Sequence, residues 1–180
     1  MSRVRLRVLL PVTLFVFAVF ATVPLGLFRS ARIRADALDA ARETVDMAMT
    51  QLQETFAAGD ESLGFPIASR RLASVAVNPN VITLFMADDA GNVTAANHNA
   101  LIGRPATEVE GFDPGTARTA ATKNRNEVVE DVASDRLRGY YPVVIGAEPG
   151  KLRADRMGLL FIEYDLAERV HRARSEALAE

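Results

Sequence analysis

The chain has 180 residues and no cysteine, with 21 lysine or arginine side chains against 23 acidic ones. Residues 1–34 hold six arginines and no acid, so the rest of the chain carries 15 basic and 23 acidic side chains. Because phosphate contacts need clustered lysine and arginine, this acidic composition excludes a nucleic-acid-binding protein. Disulfides and thiolate metal sites are excluded as well, and the widely separated His98 and His171 predict no metal site and no cofactor.

The first apolar segment is long enough to cross a membrane. Val8–Phe28 has 21 residues without a charge, and at about 1.5 Å per residue such a helix spans the roughly 30 Å hydrocarbon core. A cleaved signal peptide is the alternative, because the basic start and the small-residue sequence Val19-Phe20-Ala21 are typical of one. The apolar run continues for seven residues past Ala21, which favours a retained transmembrane helix.

A long amphipathic helix is predicted to follow this span directly. From Arg29 to Phe56 there is no proline or glycine, and apolar residues recur in steps of mostly three and four. These residues are Ile33, Leu38, Ala41, Val45, Met49, Leu52 and Phe56. The stripe indicates packing on the domain's own sheet or on a second copy of the chain across a two-fold axis.

The remainder of the chain alternates short apolar runs with turn residues. Val81–Ala87 is almost wholly apolar, as is typical of a strand buried on both faces, and Asp88 to Asn92 supply a turn. The predicted elements are helices at Ile67–Val77 and Pro114–Lys123, a loop at His98–Val109, and strands at Val81–Ala87, Val93–Asn97, Glu127–Ala133, Leu137–Ile145 and Met157–Tyr164. Hairpin connections then give one five-stranded antiparallel sheet packed on the long helix.

A last helix is predicted at Leu166–Glu180. Asp165 is a suitable N-cap, and the apolar positions Leu166, Val170, Ala173 and Ala177 step by four, three and four. No capping glycine follows, so we expect a second membrane span beyond Glu180. The predicted organisation is therefore an N-terminus at 1–7, a transmembrane helix at 8–28, an α+β domain at 29–165 and an exit helix at 166–180.

Three stretches of the sequence resemble one family of receptor domains. They read NPNVITLFMADDAGNVTAANHNALIGRP, LRGYYPVVIG and RMGLLFIEYDLAERVHRARSEAL. With the anchor and the long helix, they resemble the extracytoplasmic Cache, or PAS-like, sensor domains of bacterial receptors over residues 8–180. The apolar strand, the Asp-x-x-Gly turn and the following Ile-Gly match the first half of the family's pattern. The segments YPV, GLL and YDL match the second half.

This resemblance implies a fold: a long N-terminal helix continuous with the transmembrane helix, packed on a five-stranded antiparallel PAS/Cache-like sheet, with a C-terminal exit helix. It also implies the sensor region of a receptor in the bacterial inner membrane, with a cytoplasmic N-terminus and a periplasmic or extracellular domain. We expect a homodimer, no catalysis in this chain, and a histidine kinase or diguanylate cyclase as output domain. The alternative is a membrane-tethered protein-interaction or dimerisation module without a small-molecule ligand.

In this family the ligand pocket lies between the sheet and the loop after its second strand, which indicates candidate ligand-binding residues. They are His98, Asn99 and Arg104 in the loop and Arg138, Tyr140 and Tyr141 on the fourth strand. The expected ligand is a small molecule, with an anion as the first candidate. The alternative interpretation is that the loop residues are solvated and the tyrosines belong to the core.

The acidic residues do not indicate catalysis. A catalytic acid–base pair could be formed from Asp88, Asp89 and Glu163, but the two aspartates lie in a turn whose backbone they stabilise. The sequence also has no glycine-rich phosphate loop, no G-x-S-x-G elbow and no H-E-x-x-H motif. No catalytic residue is predicted.

Overall fold

The computed structural model describes residues 32, 34–56, 65–146, 156–168 and 170–171. Its elements are α1 over 34–56, α2 (Phe65–Ala76), β1 (Val81–Ala87), β2 (Val93–Ala96), two 3-10 helices (Asn99–Leu101 and Ala106–Glu108), α3 (Pro114–Lys123), β3 (Glu127–Asp131), β4 (Arg136–Gly146) and β5 (Arg156–Asp165). The predicted span Val8–Phe28 lies outside these residues. Within the described ranges, no helix is both long and apolar enough to cross a bilayer.

The five strands form one antiparallel sheet in the order β2-β1-β5-β4-β3. β5 lies at the centre, where its register places Glu163 opposite Thr83 on one side and Arg138 on the other. Seven consecutive residues of β5 are buried, as expected of a strand covered on both faces. The predicted α+β class and the five-stranded antiparallel sheet are confirmed.

Because side chains alternate along a strand, the sheet has two buried faces. The helix face packs against α1 and α2 and buries Leu84, Leu137, Tyr141, Leu160, Ile162 and Tyr164. The loop face packs against residues 97–113 and α3 and buries Phe85, Tyr140, Leu159 and Phe161. The central strands therefore contribute side chains to both cores, so a shift of β4 or β5 changes the packing on both faces of the sheet.

Helix α1 packs on the sheet through its predicted stripe. Ala41, Val45, Met49 and Leu52 are at most 4% exposed and belong to the core of the helix face. Met47 lies on the other side of the helix and is 62% exposed. Packing of the stripe on its own domain is confirmed, and pairing with a second copy stays a prediction.

Local signals set the ends of several elements. α2 begins at Phe65, two residues before the predicted start, because Pro66 is tolerated in a first turn where its missing N–H has no helical partner. β3 ends at Asp131 and not at Ala133, because the Asp131 carboxylate accepts the N–H of Ala133 at 3.1 Å and begins a turn. β4 and β5 each extend one residue past both predicted ends.

The predicted turn and the predicted N-cap are confirmed. Asp88 accepts the N–H groups of Ala90 and Asn92 at 3.0 and 2.8 Å, which closes the turn between β1 and β2. Asp165 accepts the N–H of Ala167 at 2.8 Å, as an N-cap residue does. Residues 167, 168, 170 and 171 are helical, and the rest of the predicted exit helix lies outside the described residues.

Candidate functional site

The loop after β2 folds back along the edge of that strand before it crosses the loop face. Val93 donates its N–H to the carbonyl oxygen of Arg104 at 2.9 Å and accepts the N–H of Gly103 at 2.8 Å. These bonds satisfy backbone groups of β2, which lies at the edge of the sheet and has no strand on that side. The loop then continues through the second 3-10 helix to Phe112, whose ring reaches the sheet.

Four aromatic rings pack together on the loop face. The ring centroid of Phe112 lies 5.7 Å from Phe85, 5.4 Å from Phe161 and 5.7 Å from Tyr140. Rings at these distances and tilts attract each other beyond the area they bury. Phe112 therefore packs between the sheet and the loop, where the family resemblance predicts the ligand pocket. The polar groups of this face lie beside the rings, toward the start of β4 and the end of β5.

A charged cluster, made of Arg136, Arg138, Asp131 and Glu163, occupies that part of the loop face. Glu163 is 2% exposed, and its Oε1 accepts hydrogen bonds from Arg136 Nη1 and Arg138 Nε, both at 3.1 Å. Arg138 Nη2 lies 3.2 Å from Asp131 Oδ2. The Arg136 and Arg138 side chains remain 33% and 24% exposed. The cluster thus presents two guanidinium groups to solvent above one buried carboxylate.

Gly111 brings the loop backbone close to this cluster. Its φ of 82° lies in the left-handed region that glycine adopts without steric cost. A Cβ at this position would lie 2.6 Å from Glu163 Oε1 and 3.0 Å from Arg138 Nε. The approach of the loop therefore requires glycine here, and it helps to bury the Glu163 carboxylate.

Two residues of the cluster have shifted pKa values. The hydrogen bond to Glu163 raises the pKa of Arg136 above its ordinary value, and the charge of the same carboxylate adds to this effect. A hydrogen bond from Ser134 and, less strongly, the charge of Arg138 lower the pKa of Asp131. Arg136 and Asp131 therefore stay charged at neutral pH.

Tyr140 and Tyr141 lie on opposite faces of the sheet, because consecutive strand residues point to opposite faces. They therefore do not line one pocket together, contrary to the prediction. Tyr140 lies on the loop face, where its hydroxyl oxygen accepts the N–H of Asp113 at 3.0 Å. Tyr141 lies on the helix face and donates to Asp46 of α1 at 2.7 Å. The structure therefore brings Arg138 and Tyr140 together and places Tyr141 elsewhere.

Both tyrosines predict a loss of stability at alkaline pH. Burial raises the pKa of the Tyr140 hydroxyl, and burial together with the hydrogen bond to Asp46 raises that of Tyr141 further. Above about pH 10 the unfolded chain releases these protons while the folded domain keeps them. The free energy of unfolding should then fall as the pH rises above about 10, by at most about 1.4 kcal/mol per pH unit for each tyrosine, and only until the pH reaches the folded pKa of that tyrosine.

Urea denaturation of the full chain at several pH values between about 9 and 11 would measure this slope. The Tyr141→Phe variant lacks one of the two hydroxyl groups, so its stability should depend less steeply on pH. An identical slope in the variant and the wild type would contradict the assignment to Tyr141.

The three loop candidates lie in the segment that follows β2. His98 Nε2 is 2.9 Å from the carbonyl oxygen of Ile82, and Asn99 begins the first 3-10 helix. The side chains of His98, Asn99 and Arg104 are exposed. Among the described residues, no hydrogen bond or ion pair joins them to the charged cluster. Their part in ligand binding stays a prediction.

The site also contains four residues that the sequence does not predict for it: Glu163, Arg136, Asp131 and Gly111. The signal that was available is a lone carboxylate inside the apolar run of β5, because a buried charge requires a partner.

The order of elements, the antiparallel sheet and the loop that covers one face are consistent with a PAS/Cache-like fold. No protein-family model matches the chain, and no curated protein matches its sequence. Among solved structures, an extracellular ligand-binding receptor from Desulfohalobium retbaense DSM5692 has a TM-score of 0.54 at 12% identity, with 80% of this chain and 26% of the receptor covered. The likeness at the level of the fold is thereby confirmed, and the chain spans about a quarter of that receptor.

Two further similar structures are sensor domains. The E. coli DcuS sensor domain has a TM-score of 0.49 at 15% identity, with 74% of this chain and 96% of that domain covered. The sensor domain of the V. cholerae histidine kinase DctB has a TM-score of 0.46 at 15% identity, with 83% and 59% covered.

Proposed function

We propose that this chain is the extracytoplasmic sensor region of a bacterial transmembrane receptor. Its N-terminal segment is an anchor in the inner membrane, and its α+β domain binds a small molecule on the loop face. As a homodimer, it passes the change through α1 and the exit helix to a cytoplasmic diguanylate cyclase or histidine kinase. The fold that it shares with an extracellular ligand-binding receptor supports an input role.

The observation that carries the proposal is the position of β4 between the charged cluster and α1. On one face Arg138 belongs to the cluster and Tyr140 contacts the loop, while on the other face Tyr141 donates to Asp46 of α1. Because β4 is closely packed against other elements on both faces of the sheet, a shift of β4 also moves α1. A ligand with different affinities for two positions of β4 would therefore bias the helix.

One residue, Asp135, also links the two helices that leave the domain. It lies in the turn between β3 and β4 with φ of 50°, a left-handed conformation that aspartate adopts more readily than most residues. Its carboxylate accepts a hydrogen bond from Arg34 of α1 at 2.8 Å. Its carbonyl oxygen accepts the N–H of Leu166, at the start of the exit helix, at 2.9 Å.

We expect Asp135→Asn to loosen the entry helix from the exit helix with little loss of stability. Asparagine tolerates the left-handed conformation, and the lost ion pair is partly exposed, so the free energy of unfolding should change by less than about 1 kcal/mol. Since the chain has no cysteine, spin labels at Ala40→Cys and Ala167→Cys report the distance between the helices. Electron spin resonance should show a broader distance distribution in Asp135→Asn.

The control for this measurement is Asp39→Asn, which removes an exposed aspartate next to Arg42 on α1. It should leave the distance distribution unchanged. An unchanged distribution in Asp135→Asn would mean that the ion pair with Arg34 does not restrain the helices.

Thermal denaturation of the full chain in detergent micelles tests ligand binding. In a screen of amino acids, amines, sugars and carboxylates, a ligand should raise Tm progressively with its concentration. Arg138→Ala should abolish this rise, whereas Arg118→Ala, exposed on α3, should preserve it. If no compound raises Tm, the ligand-receptor proposal fails and a protein-interaction or dimerisation module is favoured.

A further inference from the structure

The charged cluster contains two arginines whose carboxylate partner is supplied by the protein itself. Arg138 Nε and Arg136 Nη1 converge on one oxygen of Glu163, each at 3.1 Å. Guanidinium N–H groups arranged in this way are the groups by which proteins recognise a ligand carboxylate. Glu163 thus occupies the position that a carboxylate ligand would need.

The surroundings of the two arginines are acidic. Asp131 lies 3.2 Å from Arg138 Nη2, and the charges of Glu110 and Asp165 also act on Arg136. The two guanidinium groups therefore contact two carboxylates, one of them buried, and the charges of two further carboxylates act on Arg136. A ligand that adds another negative charge would meet net repulsion, and the repulsion is strongest near Glu163, which is shielded from water.

From this arrangement we infer that Glu163 is a specificity-determining residue, which excludes small carboxylates from the loop face and reserves it for ligands with an uncharged or cationic recognition group. The inference rests on the proposed function and deepens it, and it differs from the expectation of an anionic ligand drawn from the sequence. It attributes the preference to one buried charge and not to the net charge of the domain.

Glu163→Gln tests this directly, because glutamine keeps the shape of the side chain and an acceptor oxygen but carries no charge. Isothermal titration calorimetry of the full chain in micelles, with succinate as the probe, should give no measurable binding to the wild type at millimolar concentrations. Succinate should bind Glu163→Gln at least about tenfold more tightly than it binds the wild type. Asp131→Asn, at a more exposed position of the cluster, should give a smaller gain.

The matched control is Glu108→Gln, which changes the net charge equally at an exposed position of the second 3-10 helix. It should give no gain in succinate affinity. Circular dichroism shows whether each variant is folded. If Glu163→Gln does not fold, a gain in Asp131→Asn that Glu108→Gln lacks supports exclusion by the charged cluster, and the absence of that gain overturns the inference.

Three results would overturn the inference: wild-type chain that binds succinate as tightly as Glu163→Gln, a gain of equal size in Glu108→Gln, or folded cluster variants with no gain.

The proposed function is tested separately. A wild type that binds succinate would keep the sensor proposal and remove this inference. A gain in Glu163→Gln, while no metabolite stabilises the wild type, would support the role of Glu163 and remove the sensor proposal.

Discussion

Replacing Gly158 by valine should destabilise the domain by about 3 kcal/mol or more, because this position has no room for a side chain. A Cβ at Gly158 would lie 2.5 Å from the carbonyl oxygen of Ala87 and 3.0 Å from Ile145 Cγ2. The first of these atoms belongs to the backbone of β1, so relief requires β1 and β5 to move apart. Urea denaturation of the full chain should show a lower midpoint with an unchanged dependence on denaturant.

The control for Gly158 is Gly115, in the first turn of α3. A Cβ there would meet nothing closer than the Asp113 carboxylate at 3.5 Å, an ordinary contact. Gly115→Ala should therefore leave stability unchanged or raise it by up to about 1 kcal/mol, since alanine favours the helix. Equal stability of Gly158→Val and the wild type would mean that β1 and β5 are not held at the spacing that the structure shows.

The elements that local chemistry defines were predictable from the sequence. β1 spans Val81–Ala87 as predicted, because an apolar run lies between Asn78-Pro79-Asn80 and the turn begun by Asp88. α3 spans Pro114–Lys123 as predicted, because proline begins the helix and asparagine ends it. In each case the signals lie within a few residues of the element.

The candidate site was only partly predictable, because it depends on contacts between distant segments. Tyr140 and Tyr141 are chemically alike, so the sequence does not show which of them faces the loop. The pairing of Arg138 with Glu163 depends on the register between β4 and β5, which no local motif sets. The role of Gly111 depends on the path of the loop over the sheet.

The same nonlocal contacts explain why binding and signalling coincide in the proposal. Glu163 belongs to the central strand, which pairs with β1 and β4 and leads into the exit helix through Asp165. A change in the bonds of Glu163 therefore acts on the strand that carries the exit helix, without any intermediate element. Glu163 would then both determine which ligands bind and transmit their binding to the exit helix.

Glu163→Ala should lower the free energy of unfolding by about 3 kcal/mol, at the lower end of the cost of breaking a buried ion pair. The variant leaves Arg136 and Arg138 without their common acceptor. Both guanidinium groups reach water, at 33% and 24% exposure, which limits the cost. Urea denaturation of the full chain measures the change.

Two comparisons show whether this loss comes from unpaired arginines. Glu54→Ala, on the exposed side of α1, should cost less than about 0.5 kcal/mol. Adding Arg138→Ala to Glu163→Ala should cost less than the sum of the two single changes, because the second change removes a charge that the first left unpaired. Additive losses would mean that Glu163 stabilises the fold by its packing alone, and that its charge does not organise the two arginines.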